Sequence, residues 1–196
     1  MTADALTRTA PLHHESGQFA QLPDGVQVLP ESFVAQASLR IDAGASAAVA
    51  AHLGVALPTT PNTWVQGELA TVVWLGPDEW LVLSPFVAPR DLDAGLRAAV
   101  GSGNGAVVDV SAQRTTLRLR GAHARDVLAS GCAIDLHPGV FPAGSAVQTT
   151  LGRTGILLLG LGENDFRLLV RSSFARYLAA WLIDAAQEYR IQEYRP

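Results

Sequence analysis

At 196 residues, 48% of them hydrophobic and only 16% charged, the chain is long enough for one sizeable domain or two small halves sharing a core. A net charge of −4 with no basic run or stripe lacks the electrostatic footprint of a nucleic-acid binder. All 14 basic residues are Arg, which excludes Schiff-base chemistry, a P-loop lysine and a lysine general base.

Residues 1–31 read as an irregular lead-in, because Pro11, Gly17, Pro23, Gly25 and Pro30 interrupt it too often for a long element. Its first 19 residues mix Asp4, Arg8 and Glu15 with scattered apolar residues and lack the apolar core of a signal peptide. Residues 33–41 alternate loosely as a strand, and the alanine-rich stretch 45–53 is helix-prone, ending near Gly54. Two apolar, β-rich runs at 69–75 and 80–83, separated by Gly76-Pro-Asp-Glu79, predict a hairpin. Pro89 sits at a helix start with Asp91 and Asp93 in the first turn, and Leu92, Leu96 and Val100 line one face. Gly101-Ser-Gly-Asn-Gly105 stops that helix before a strand at 106–110.

Residues 32–112 thus read β-α-β-β-α-β, the split βαβ order of a ferredoxin-like unit. The stretch 113–196 forms a second α+β half. It has a strand at 115–120, a short helix at 122–130, and strands at 146–151, 156–161 and 166–170. A long amphipathic helix follows from Ser172 or Ser173, either of which suits an N-cap, to Tyr189. Phe174, Tyr177, Leu178, Trp181, Leu182 and Ala185 are its predicted apolar stripe, with Arg176, Asp184 and Glu188 off it. The most apolar stretches, 72–75 and 156–161, are far too short to span a bilayer. The low charged fraction, against about 25% in an average soluble domain, fits either a generous core or apolar surface kept for a partner.

Motifs that carry chemistry are scarce. The 101–105 glycines run from helix into strand, whereas a dinucleotide fingerprint runs from strand into helix with G-x-G-x-x-G spacing. Cys132 is the single cysteine, so no intrachain disulfide forms, several-cysteine zinc sites are excluded, and a reducing, cytoplasmic compartment is implied. It lies near His123 and His137 in sequence, but its place between Gly131 and Ala133 suits a small buried residue. His13, His14, His52, His123 and His137 show no metal-binding spacing, and no G-x-S-x-G elbow occurs. Asp109, Ser111 and Arg114 fall at a junction between strands, either an ordinary turn or a contact surface. Asp78 and Trp80, at the hairpin, read the same way. No catalytic residue, cofactor-binding residue or metal ligand is expected on this chain.

Three stretches carry a resemblance. Trp74-Leu-Gly-Pro-Asp-Glu-Trp-Leu-Val-Leu83, Val107-Val-Asp-Val-Ser-Ala-Gln-Arg-Thr-Thr-Leu-Arg-Leu-Arg-Gly121 and Phe166-Arg-Leu-Leu-Val-Arg-Ser-Ser-Phe-Ala-Arg-Tyr-Leu178 resemble, in order and spacing, the gamma subunit family of heterotetrameric sarcosine oxidase. The resemblance covers roughly residues 30–190. It implies a complex with alpha, beta and delta subunits that oxidises sarcosine with O2 to glycine and hydrogen peroxide. The one-carbon product is formaldehyde, or 5,10-methylenetetrahydrofolate when tetrahydrofolate is present. FAD, FMN, NAD, tetrahydrofolate and zinc are implied for the other subunits and none for this chain. The implied fold is that of the folate-binding aminomethyltransferases. Those enzymes carry Gly-x-x-Asp-Asp before the hairpin, where this chain has Gly67-Glu-Leu-Ala-Thr71, so the resemblance implies a non-catalytic subunit that serves assembly. A free-standing folate-binding protein of the same fold is the alternative, but its K-G-C-[FY]-x-G-Q-E motif is absent.

Overall fold

A computed structural model describes residues 8–190; the first seven residues of the lead-in and residues 191–196 of the second half lie outside them. In chain order the elements are α1 (Ser16–Phe19), β1 (Gln27–Glu31), β2 (Ala35–Ile41), α2 (Ser46–Leu53), β3 (Trp64–Gln66), β4 (Thr71–Gly76) and β5 (Glu79–Ser84). Next come α3 (Pro89–Val100), β6 (Gly105–Asp109), β7 (Arg114–Arg120) and α4 (Ala124–Ala129). The chain continues through β8 (Ala146–Leu151), β9 (Thr154–Gly162), β10 (Asp165–Arg171) and α5 (Ala175–Arg190). No helix among the described residues is long and apolar enough to cross a membrane.

The first sheet has the order β3-β4-β5-β2-β6, with every neighbour antiparallel. Without the short edge strand β3, this is the strand order of the ferredoxin-like unit expected from the β-α-β-β-α-β pattern. The second sheet has the order β1-β7-β10-β9-β8, again antiparallel throughout. The fold class is therefore α+β as expected: a ferredoxin-like unit followed by a β-rich half.

Period-two alternation explains how the two halves share a core. On β4 and β5, Val72, Trp80 and Val82 pack with Val49 and Leu53 of α2 and Leu92 and Leu96 of α3. Their neighbours Val73, Leu81 and Leu83 point the other way, onto Ala146, Leu157, Leu159 and Leu169 of the second sheet. The far side of the second sheet, with Leu117, Leu158, Phe166 and Leu168, is covered by α4 and α5. Helices, sheet, sheet and helices stack as four layers. A strand buried on both faces reads as a continuous apolar run, which is why 72–75 and 156–161 stand out in the sequence.

Three expectations are corrected. The lead-in is not irregular throughout: Gln27–Glu31 pairs with β7 as the edge strand of the second sheet. Pro30 disguises it, yet an edge strand tolerates a residue without an N–H. Gly121, at φ +120, lets the chain pass against Gly25 where β1 begins; a Cβ there would collide with the Gly25 carbonyl. Neither Ser172 nor Ser173 caps α5 with its side chain. Ser172–Phe174 form a 3₁₀ turn ahead of the helix, and Ser172 Oγ donates instead to the Ala112 carbonyl at 2.9 Å. Finally, the buried stripe of α5 is Ala175, Leu178, Ala179, Leu182 and Ala186. Phe174 and Tyr177 are exposed and Trp181 is half-buried.

Candidate functional site at the crossing between the sheets

At Asp109 the chain leaves the first sheet, and at Arg114 it enters the second. Asp109 Oδ1 accepts the Ser111 N–H at 2.9 Å, an Asx-type turn that aims the serine back toward β2. Ser111 Oγ then accepts the N–H of Gln36 at 2.9 Å and donates to its carbonyl at 3.3 Å. The Gln36 side-chain amide donates to the Arg114 carbonyl at 3.1 Å. From the other side, the Ser172 N–H donates to the Gln113 carbonyl at 2.9 Å. The crossing is clamped between β2 and the approach to α5. Ser111 is engaged far beyond a local turn.

The Arg114 side chain is half-buried and directly opposite Arg171 in the β7–β10 ladder. Burial, and then the charge of Arg171, push its pKa below the ordinary arginine value, with Glu79 acting in the opposite sense. Two hollows meet here. One of about 210 Å³ is lined by Gln36, Ser111, Arg114, Thr116 and the 8–12 segment, and another of about 510 Å³ by Arg114, Arg171, Gln148 and Thr150.

Asp78 and Trp80 are elsewhere. β2 separates the two groups: Asp109 registers with Ala37 near one end, while the Asp78 carbonyl accepts from the Ile41 N–H at the other. Asp78 is exposed and forms an ion pair with Arg40 at 3.3 Å. Trp80 is only 4% exposed, and its Nε1 donates to the Pro58 carbonyl at 2.8 Å. Its side chain belongs to the core under α2 and α3, so Trp80 has no indole surface to offer a partner. A neighbouring turn invites the opposite reading, because an aromatic beside a hairpin bend looks the same in sequence whichever face it takes.

The remaining polar candidates have structural partners. Cys132 is buried, with Sγ 3.9 Å from Thr149 Oγ1. His123 stacks on Tyr189 at 4.5 Å between ring centroids, and His137 Nδ1 accepts the Gly139 N–H at 3.1 Å. In the segment leading into β4, Ala70 is fully buried and Thr71 is 4% exposed. Thr71 Oγ1 donates to Gln66 Oε1 at 2.6 Å. Sequence reasoning missed Gln36 and Arg171. Both sit on strands with apolar neighbours; Gln36 acquires a role only when the two sheets come together, and Arg171 only when β10 pairs with β7.

The sequence matches the sarcosine oxidase, gamma subunit family over residues 39–188. Sarcosine oxidase subunit gamma of Corynebacterium sp. (strain P-1) is 38% identical over 188 residues, 93% of this chain and 91% of that one. The protein of the same description from Arthrobacter sp is 39% identical with the same coverage of both chains. Among solved structures, heterotetrameric sarcosine oxidase from Corynebacterium sp. U-96 in complex with pyrrole 2-carboxylate contains a chain that matches at TM-score 0.85 and 35% identity, covering 93% of this chain and 96% of that chain. Glycine cleavage system aminomethyltransferase T from Bartonella henselae matches at TM-score 0.64 with 14% identity, over 85% of this chain and 48% of its own, a likeness of fold. Since both sequence and fold correspond along nearly the whole chain, it belongs to the sarcosine oxidase gamma subunit family.

Proposed function

We propose that this chain is a non-catalytic subunit of a heterotetrameric sarcosine oxidase, and that its work is assembly of the complex. The observation that carries the reading is its correspondence, over 93% of its length, with a single chain of the Corynebacterium sp. U-96 enzyme, at 35% identity and TM-score 0.85. Two features of the chain support it. Where aminomethyltransferase-like enzymes place a carboxylate pair, Ala70 and Thr71 are packed inward and the threonine hydroxyl is spent on Gln66. Large apolar side chains also face outward, among them Phe86 at 68%, Val140 at 60% and Val108 at 52% exposed, surface of the kind that partners cover.

On this reading the complex works in the cytoplasm and oxidises sarcosine with O2 to glycine and hydrogen peroxide. The methyl carbon passes to tetrahydrofolate as 5,10-methylenetetrahydrofolate, or leaves as formaldehyde. FAD, FMN, NAD, tetrahydrofolate and zinc belong to the alpha, beta and delta subunits, and this chain takes none of them. Its exposed Asp78 and Asp109 are contact groups for those partners.

Size-exclusion chromatography with a flavin absorbance trace tests the proposal. The chain expressed alone should elute without flavin absorbance and give no sarcosine-dependent peroxide. Co-expressed with the other subunits, it should co-elute with the flavin peak in stoichiometric amount. Stoichiometric flavin on the isolated chain, or failure to co-elute, overturns the reading.

A further inference from the structure

We infer that Arg114 and Arg171 form a binding site for an oxyanion, a carboxylate or phosphate group, on the open inner face of the second sheet.

Arg171 of β10 stands directly opposite Arg114 of β7, an arrangement in which like charges repel across the ladder. The same two strands show how the chain otherwise treats this residue type. At the far end of β7, Arg118 donates from Nε to Asp165 Oδ1 at 2.8 Å. On β10, Arg167 makes a two-pronged pair with Glu31 at 2.7 and 2.9 Å. By contrast, neither Arg114 nor Arg171 forms an ion pair or side-chain hydrogen bond among the described residues. Glu79, the acid that acts on Arg114, is hydrogen-bonded to Arg40 at 3.4 Å.

The surroundings complete the case. By alternation, Gln148 and Thr150 of β8 project from the same face as Arg114 and Arg171, beside Leu157 and Leu169. These residues, with Arg171 on the exposed rim, line a solvent-open hollow of about 510 Å³ whose lining contains two arginines, hydrogen-bonding side chains and no carboxylate. That is the reverse of the chain as a whole, which carries a net charge of −4. Thr150 registers with Gly155, where even a Cβ would meet nothing within 4 Å, so the space between Thr150 and the arginines stays open. Two guanidinium forks with amide and hydroxyl donors beside them match the oxygens of a carboxylate or phosphate. Such a group would relieve the repulsion that folding creates.

The oxyanion can come from a free solute or from an acidic side chain of a partner subunit, and the experiment separates these sources. Thermal unfolding of the full chain is followed while citrate, and separately inorganic phosphate, replaces chloride at constant ionic strength. At least one of the two should raise the midpoint saturably. The Arg114→Gln/Arg171→Gln double variant should bind that anion about tenfold more weakly or worse, since each fork supplies charge-assisted bonds. A second variant, Thr150→Glu, places a carboxylate in the hollow and should raise the midpoint without added anion while abolishing the response to it. The titration is repeated on the co-expressed complex. A response that persists there assigns the site to a free anion. A response lost there, with the double variant shed from the complex, assigns it to a partner's carboxylate. If neither anion exceeds chloride on the isolated wild-type chain, or if the double variant responds as wild type does, the site does not exist. The isolated-chain titration reads out whether or not the chain assembles, so its failure is distinct from failure of the assembly proposal.

Discussion

The side-chain amide of Gln36 and the backbone carbonyl of Arg114 are bonded at 3.1 Å across 78 positions of sequence, joining the first sheet to the second. Only the amide nitrogen can donate to a carbonyl, so this bond fixes which way the side chain faces. Gln36 is 2% exposed, and its own N–H depends on Ser111 Oγ. Ser111→Ala removes that acceptor and leaves a donor unpaired beneath the sheet crossing. A buried unpaired donor costs about 1–3 kcal/mol. Urea unfolding should show a lower midpoint with an unchanged slope, and an unaltered midpoint would mean that the serine clamp contributes nothing.

A second outcome concerns the face of α5. Leu182 is fully buried between Leu178 and Ala186 on the packed stripe, so Leu182→Ala should cost about 2–5 kcal/mol. Arg176, whose side chain is 72% exposed, meets Glu15 at 3.5 Å, and Arg176→Ala should cost about 1 kcal/mol or less. Gly131→Ala should destabilise more than an exposed Gly→Ala does, because a Cβ there runs into the Trp181 ring. Calorimetric midpoints for the three variants check the ordering; equal shifts for Leu182→Ala and Arg176→Ala would place the stripe on the wrong face.

How far the sequence discloses this molecule can be followed in that same helix. Its existence and length are legible because Leu178, Leu182 and their neighbours recur at helical spacing. Its face is not, because Phe174, Tyr177 and Trp181 are as apolar as the residues they displace. The packed side goes to alanines, which let the helix lie close to the sheet, while Tyr177 turns its hydroxyl to accept the Arg153 N–H at 2.9 Å. The hairpin at Pro77 and Asp78 and the helix from Pro89 are set by local chemistry and read directly. β1 escapes notice because its proline speaks against a strand unless the strand is known to lie at an edge. The crossing is half legible. Asp109 and Ser111 announce a turn, but Gln36 and Arg171 reach the same region only through pairings that no local pattern encodes.

The edge strand itself offers a third test. Glu31 of β1 and Arg167 of β10 pair over the intervening strand β7, and their side chains are only 23% and 20% exposed. A two-pronged, partly buried pair of this kind is stronger than an ordinary surface pair. Removing one partner leaves the other charge poorly solvated, so the Glu31→Gln/Arg167→Leu double variant should be destabilised by less than the sum of the two single variants. A double-mutant cycle should return a coupling of about 1–3 kcal/mol. Strict additivity would show that the pair forms without holding β1 in place.

The last prediction turns on Cys132, the single thiol of the chain. Its N–H donates to the Leu128 carbonyl at 2.9 Å, closing the end of α4, and its backbone forms an isolated bridge with Leu151. Cys132 is part of the core beneath α5 and 9% exposed, with its sulfur 3.9 Å from Thr149 Oγ1. A redox-active or nucleophilic cysteine needs a stabilised thiolate and access to its target, whereas this one is enclosed by apolar neighbours and a threonine hydroxyl. Cys132→Ser keeps the shape and exchanges a weak thiol contact for a hydroxyl that can bond Thr149. It should shift stability by about 1 kcal/mol or less and leave sarcosine turnover by the assembled complex within a few-fold of wild type. Turnover and subunit stoichiometry must be measured on the same preparation, so that loss of the subunit is not mistaken for loss of chemistry. Abolished turnover with assembly intact would assign the thiol a part in the reaction and overturn the structural reading.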